Sequence, residues 1–287
     1  MLDQQRDYVL RSVEERGVRL VRLWFTDVLG NLKSLAISPA ELENALDDGM
    51  TFDGSSIDGF SRVQEADVLA MPDPDTFELL PWGDPKAPEA RIFCDIHHLD
   101  GTPFEGDPRQ VLRRHVKDAH ETGLTFYVAP DVEFFYFEPL VPGRPPVPID
   151  QGGYFDLTTR DVTGELRKRT IRTLEAMGIP VEYSFHEDAP GQQEIDLRHT
   201  DALTMADSVM TFRVAVREVA ALPGLYVEGL FTHLGQAEKP GVSGAQLDDP
   251  DLPGYTARVM AETLRLLKDH RGRKVPTVGG VLLFCRG

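Results

Sequence analysis

The chain has 287 residues, 41% of them hydrophobic, with a formal net charge of −17 and a pI near 4.8. That length admits one large domain or two smaller ones, and the apolar content suffices for a packed core. The acidity argues against nucleic acid and anionic membrane as partners, because both need basic surface. An anionic substrate would need local cations or bound metal. The opening MLDQQRDYVL lacks the basic and apolar regions of a signal peptide, and no run of eighteen apolar residues occurs, so the expected location is the cytoplasm. Cys94 and Cys285 are too few and too far apart for a disulfide framework or a zinc site.

Taken in chain order, residues 2–16 read as a helix stopped by Gly17. Residues 18–25 and 32–37 read as two strands joined by the turn Val28-Leu29-Gly30-Asn31. Ser38, Pro39 and Glu41 have the spacing of a helix start with a capping box, and that helix should end near Gly49. Short strands are expected around 68–71, 77–80 and 91–96, giving an α+β unit. Residues 99–106 are the expected domain boundary. Asp107 and Pro108 should begin a helix reaching His120, followed by strands over 124–128 and 132–137. The Gly/Pro-rich loop 139–153 is too long for a simple connection. Helices are expected over 162–177 and 202–221, with a strand over 181–185 between them. Residues 222–254 read as loop, 255–269 as an amphipathic helix, and 279–287 as an apolar run. There is no GxGxxG and no GxxxxGK[ST].

The chemistry concentrates in two segments. Asp131 and Glu133 lie in DVEFFYF, and side chains two apart on a strand share a face about 7 Å apart. HEDAPGQQEID (186–196) places Glu187 and Glu194 on either side of Pro190-Gly191, and aligns Glu194 with Asp196. Carboxylates in apolar company are costly to bury without a positive partner, and no Lys or Arg lies in either segment. Mg²⁺ or Mn²⁺, which take oxygen ligands, would fit. Each motif alone is equally compatible with ordinary surface acids on half-exposed strands. His186 beside Glu187 reads as a supporting histidine rather than a base.

Several blocks, in order, resemble bacterial-type glutamine synthetase: FTDVLGNLK (25–33), FDGSSIDGF (52–60) with QEAD and MPDP after it, PDVEFFYF (130–137), GGYFD (152–156), HEDAPGQQEID, and DALTMADSVMTFRVAVREVA (201–220). The resemblance implies an α+β protein: a β-grasp-like mixed-sheet domain at 1–103, the first part of a catalytic α/β half-barrel at 104–221, and an atypical, partly disordered tail at 222–287. It implies ATP-dependent ligation of ammonia to the γ-carboxyl of glutamate through γ-glutamyl phosphate. Residue by residue, Glu133, Glu187 and Glu194 resemble ligands of the metal that activates glutamate, and Asp131 a ligand of the metal on the ATP phosphates. Glu187 and Asp53 stand at positions with a catalytic role. Glu182 resembles an ATP contact. Asp53, Ser56 and Tyr154 resemble the ammonium pocket, with Asp53 drawing a proton from ammonium, and Glu133 also faces substrate. A homo-oligomer is implied, because the Asp53 loop completes a neighbouring subunit's site in the family.

Two departures stand out. Asp131 occupies a position usually held by Glu, one methylene longer. The later family motifs, including the arginines that hold phosphate and the ligands that complete the second metal site, have no match after Ala221; His233, Arg271 and Arg273 are the candidate substitutes. The chain therefore reads as C-terminally truncated. Alternative readings are an inactive paralogue that co-assembles with an intact synthetase, a product without a role, and a γ-glutamyl ligase for a larger amine.

Overall fold

The computed structural model describes residues 2–27, 30–54, 67–157 and 162–233. Ser56, Arg271, Arg273, the expected helix over 255–269 and the apolar run over 279–287 lie outside them.

The first helix, α1 (Leu2–Glu15), turns Val9 and Val13 to the core. Gly17 follows it at φ 62, a left-handed conformation that glycine adopts without steric cost. β1 (Leu20–Thr26) and β2 (Leu32–Ile37) form an antiparallel hairpin. Ser38 and Glu41 do not form the expected capping box. A 3-10 turn at Pro39–Glu41 comes first, so α2 (Leu42–Asp48) starts beyond the pair, and neither residue makes a side-chain cap hydrogen bond. β3 (Met50–Asp53), β4 (Asp67–Pro72), β5 (Glu78–Leu79) and β6 (Glu89–His98) complete a sheet of order β2-β1-β6-β4-β3, with β5 beside β6. β1 and β6 run parallel, and the other pairs are antiparallel. Leu23, Ile92 and Ile96 are fully buried beneath the helices, in a β-grasp arrangement.

The second unit begins with α3 (Pro108–Glu121), capped as expected by Asp107, whose side chain accepts from the Arg109 amide. Next come β7 (Tyr127–Val128), β8 (Asp131–Phe137), α4 (Val162–Ala176), β9 (Val181–His186), β10 (Gln192–Leu197), β11 (Thr200–Asp201), α5 (Ala202–Ala221) and β12 (Tyr226–His233). The main sheet has the order β12-β8-β10-β9 and is antiparallel throughout. Val132, Phe134 and Tyr136 of β8 are buried with Ile195 and Leu197 of β10 against Leu166 and Leu174 of α4 and Phe212 and Val216 of α5. The strand period of two then commits Asp131, Glu133, Phe135 and Phe137 to the other face.

The reading of 222–254 as loop needs correction. Residues Tyr226–His233 pair with β8 from Tyr226↔Phe137 to His233↔Asp131. Glu228 and Gly229 interrupt the apolar pattern there, and a register shift between Glu228 and Phe231 takes up the irregularity. Main-chain pairing with β8 decides the strand, which local composition did not signal.

Arg109 is one of the residues that join the two units, beside Arg113 and the apolar cluster of Trp24, Leu80, Phe93, Met177 and Met210. Arg109 on α3 is buried and holds Asp207 of α5 through two hydrogen bonds, of 3.1 and 2.9 Å, while reaching Asp95 at 2.6 Å and Asp73 at 2.9 Å. Arg113, one turn further along α3, contacts Asp73 and Asp95 at 2.9 Å each. Burial pushes the Asp73 carboxyl up, but the two arginines outweigh it and hold it below its ordinary value.

Candidate active site: an acidic sheet face

The register of β8 against β10 sets Glu133 opposite Glu194 and Asp131 opposite Asp196. Directly opposed side chains have Cβ atoms about 5 Å apart, and like charges so placed repel. The pairing thus gathers four carboxylates on the face turned away from α4 and α5. Within it, Asp131, Glu194 and Asp196 each offer an oxygen within 4.8 Å of the others. Glu194 and Asp196 are buried, at 7% and 3% exposure.

Electrostatics follow from that crowding. Burial, then the neighbouring Asp196, Glu187 and Glu133, push the Glu194 carboxyl up to about 10. Asp196 is pushed up to about 6, chiefly by burial and also by the charge of Asp131, against the moderating hydrogen bonding of Glu194 and Tyr183. Among the described residues, neither Asp196 oxygen has a hydrogen-bond partner of good geometry. Two buried, donor-starved oxygens beside two further acids suit a hard divalent cation, which favours oxygen ligands and reverses this pKa pressure. By chemistry and spacing the donor set fits Mg²⁺ or Mn²⁺.

Of the other expected residues, Glu133, Glu187, Tyr154 and Glu182 act on or feel the charge of this trio, while Asp53 lies in the other sheet. Glu133 Oε2 accepts a 2.5 Å hydrogen bond from Gln192 Nε2. Glu187 lies close enough to bear on Glu194, and its own Oε2 accepts from the Asp188 amide at 2.7 Å. Tyr154 is half exposed, tilted against Phe155 with ring centroids 4.0 Å apart and edge-on to Phe185 at 5.6 Å. Partial desolvation and the charges of Glu187 and Glu194 raise its hydroxyl pKa. Glu182 is exposed: Asp196 pairs with Tyr183 and Leu197 with Val181, leaving Glu182 as the extra residue of a β-bulge. Its charge bears on Asp196. Asp53 ends β3 in the other sheet, exposed, opposite Asp67. The backbone of His233 pairs with Asp131.

Asp196 is the member of the trio absent from the expected ligand set. Its signal was present, since the strand period aligns it with Glu194. A cavity of about 280 Å³ lies apart from this face, between the two units, lined in part by Glu78, Arg91, Arg109 and Asp207. Its arginines are largely engaged with acids of the domain junction, so the acidic face is the better candidate for chemistry.

The fold and this face define a two-domain α+β protein with a carboxylate-lined sheet suited to divalent cations. The model of the glutamine synthetase beta-grasp domain matches residues 17–99, and that of the glutamine synthetase catalytic domain matches residues 105–230. The chain belongs to the glutamine synthetase family. It is 55% identical over 243 residues to the glutamine synthetase of Mycolicibacterium smegmatis, covering 84% of this chain and 54% of that one. It is 40% identical over 288 residues to that of Clostridium saccharobutylicum, covering 96% and 65%. The chain thus spans between about half and two thirds of the length of these relatives. Both the catalytic-domain match and the second alignment run past Ala221, further than the sequence motifs carried the resemblance. Among solved structures, Plasmodium falciparum glutamine synthetase superposes with a TM-score of 0.71 at 21% identity, over 79% of this chain and 50% of that one. A GmaS/ADP complex gives 0.66 at 25% identity, over 77% and 50%.

Proposed function

We propose that the chain serves ATP-dependent ligation of ammonia to the γ-carboxyl of glutamate, with its acidic face as the cation and glutamate side of the site. The observation that carries the reading is the trio Asp131, Glu194 and Asp196, whose oxygens converge within 4.8 Å, with neither Asp196 oxygen meeting a hydrogen-bond partner of good geometry among the described residues. Asp131, Glu194 and Asp196 would hold one Mg²⁺ or Mn²⁺, with Glu133 and Glu187 beside it. When bound, the cation neutralises phosphate charge, which is the main requirement of phosphoryl transfer.

A γ-carboxylate oxygen of glutamate attacks the terminal phosphorus of ATP and ADP leaves, giving γ-glutamyl phosphate. Ammonia then attacks the acyl carbon, phosphate departs, and a proton is released. Asp53 and Ser56 would form the ammonium pocket, Asp53 accepting the proton that ammonium gives up, with Tyr154 as a further wall. Glu182 would contact ATP. The exposed position of Asp53 on the β-grasp sheet is compatible with a site completed by a second copy of the chain, or by an intact paralogue.

ADP release measured with and without glutamate and ammonium tests this directly. Release that needs both, and that falls about 10²-fold or more in Glu194→Gln, is the expected outcome, since loss of one electrostatic contact at a reacting centre has effects of that order. Mn²⁺ binding without such release would replace this reading with that of an inactive partner. Release that needs a larger amine would identify a different acceptor.

A further inference from the structure

We propose that His186 is a positioning residue that makes the Tyr154 loop and the Glu187 turn move as one body. The proposal rests on the reading of the acidic face as a cation and ammonium site. His186 ends β9 and is 3% exposed. Its Nδ1 lies 2.7 Å from the carbonyl oxygen of Glu187, which can only accept, so Nδ1 carries a proton. Its Nε2 lies 3.0 Å from Asp150 Oδ1.

That one Asp150 oxygen also accepts from the amides of Gly152 at 3.1 Å and Gly191 at 2.8 Å. It therefore gathers the loop before Tyr154, the end of β9 and the turn into β10. The loop backbone lies directly on the imidazole: a Cβ added at Gly152 would sit 2.5 Å from Nε2. The Phe155 amide then donates to the His186 carbonyl at 2.9 Å, and Phe155 takes φ 59, uncommon outside glycine. This kink sets the rings of Tyr154 and Phe155 against Phe185.

His186 thus holds two separate segments with its two nitrogens. One presents Glu187 to the acidic face and the other presents Tyr154. A histidine that merely filled the core would need neither bond to fall on a segment that serves the site. Partners one step removed from metal ligands fix ligand orientation in this way.

Two isosteric changes separate the nitrogens. Asn mimics Nδ1 and retains the Glu187 contact, whereas Gln mimics Nε2 and retains the Asp150 contact. Amide hydrogen exchange on the metal-free protein should show residues 152–157 and 187–192 opening together in the wild type. In His186→Asn, residues 152–157 should exchange about tenfold faster with 187–192 little changed, and His186→Gln should reverse the pattern, because local opening is read segment by segment. Both segments responding alike in both variants, or neither responding, would overturn the proposal. Should the histidine variants fail to fold, Gly152→Ala applies the same test by pushing the loop off the ring, with faster exchange expected at 152–157 and none of that change at 187–192. Mn²⁺ titration followed by electron paramagnetic resonance adds a second readout. His186→Gln should weaken binding about tenfold and His186→Asn far less, in line with the effect of losing an outer-shell partner. A wild-type protein that takes up no Mn²⁺ would remove the site reading, while the exchange pattern would still decide the coupling.

Discussion

Glu133 and Glu194 are direct cross-strand partners, yet only Glu133 receives an amide donor, from Gln192 at 2.5 Å. Glu194 is buried among other carboxyls, and burial first, then those neighbours, suppress its ionisation. Two acids in register on adjacent strands therefore sit in different hydrogen-bonding surroundings.

Glu194→Gln should leave the metal-free melting temperature at pH 7 nearly unchanged. With its carboxyl pushed up to about 10, Glu194 is already neutral there, and Gln imitates the protonated form. The same change should weaken Mn²⁺ binding tenfold or more, by the order of effect seen when a ligand or its support is lost. Calorimetric titration of the two proteins checks both halves, and unchanged affinity would remove Glu194 from the ligand set.

Stability of the metal-free protein should fall with rising pH across a wide window. An unfolded Glu194 ionises near 4.5 and the folded one at about 10, so between these values the folded chain keeps a proton that the unfolded chain has lost. Its contribution is full below the lower value and gone above the upper one. Asp196 acts in the same direction between 3.8 and about 6. A cation reverses this by displacing the proton, so Mn²⁺ uptake at pH 7 should release about one proton per ion. Titration in two buffers of different ionisation enthalpy measures that number, and zero release would contradict the assigned state of Glu194.

Arg109→Ala should destabilise the fold by about 3–5 kcal/mol, the range for removing one partner of a buried ion pair. It would strand Asp207, Asp95 and Asp73 together at the domain junction. Urea denaturation gives the value, and a loss under about 1 kcal/mol would show that water and Arg113 compensate.

Gly191→Ala should destabilise by about 1–3 kcal/mol, the usual cost of a residue held in a sparsely populated backbone region. Gly191 has φ 74, and a Cβ there would meet the Tyr136 carbonyl oxygen at 2.8 Å. Thermal melts of the metal-free variant test this, and a stability equal to wild type would mean that the turn relaxes freely.

Much of the architecture was written in local pattern. Asp107 announces α3, and α5 occupies the residues that its apolar spacing marks out. The acidic face was legible through period two within each of β8 and β10. The pairing of Asp131 with Asp196 was not, because it depends on the register between strands some sixty residues apart in sequence. Asp196 was consequently left out of the expected ligands although its alignment with Glu194 was plain. The Arg109 cluster was illegible for the same kind of reason: its partners stand 14, 36 and 98 residues away. Strand β12 was missed because pairing with β8, and not composition, makes it a strand.

The two family matches end at residue 99 and begin again at residue 105, but charge does not respect that division. A fragment ending there keeps Asp73 and Asp95 without their arginines; its complement keeps Arg109, Arg113 and Asp207 with two of the three acids gone. Expressed apart, the pieces would carry complementary charged scars, and mixing them should reassemble the junction in low salt and fail to do so in high salt, where screening shortens the reach of those charges.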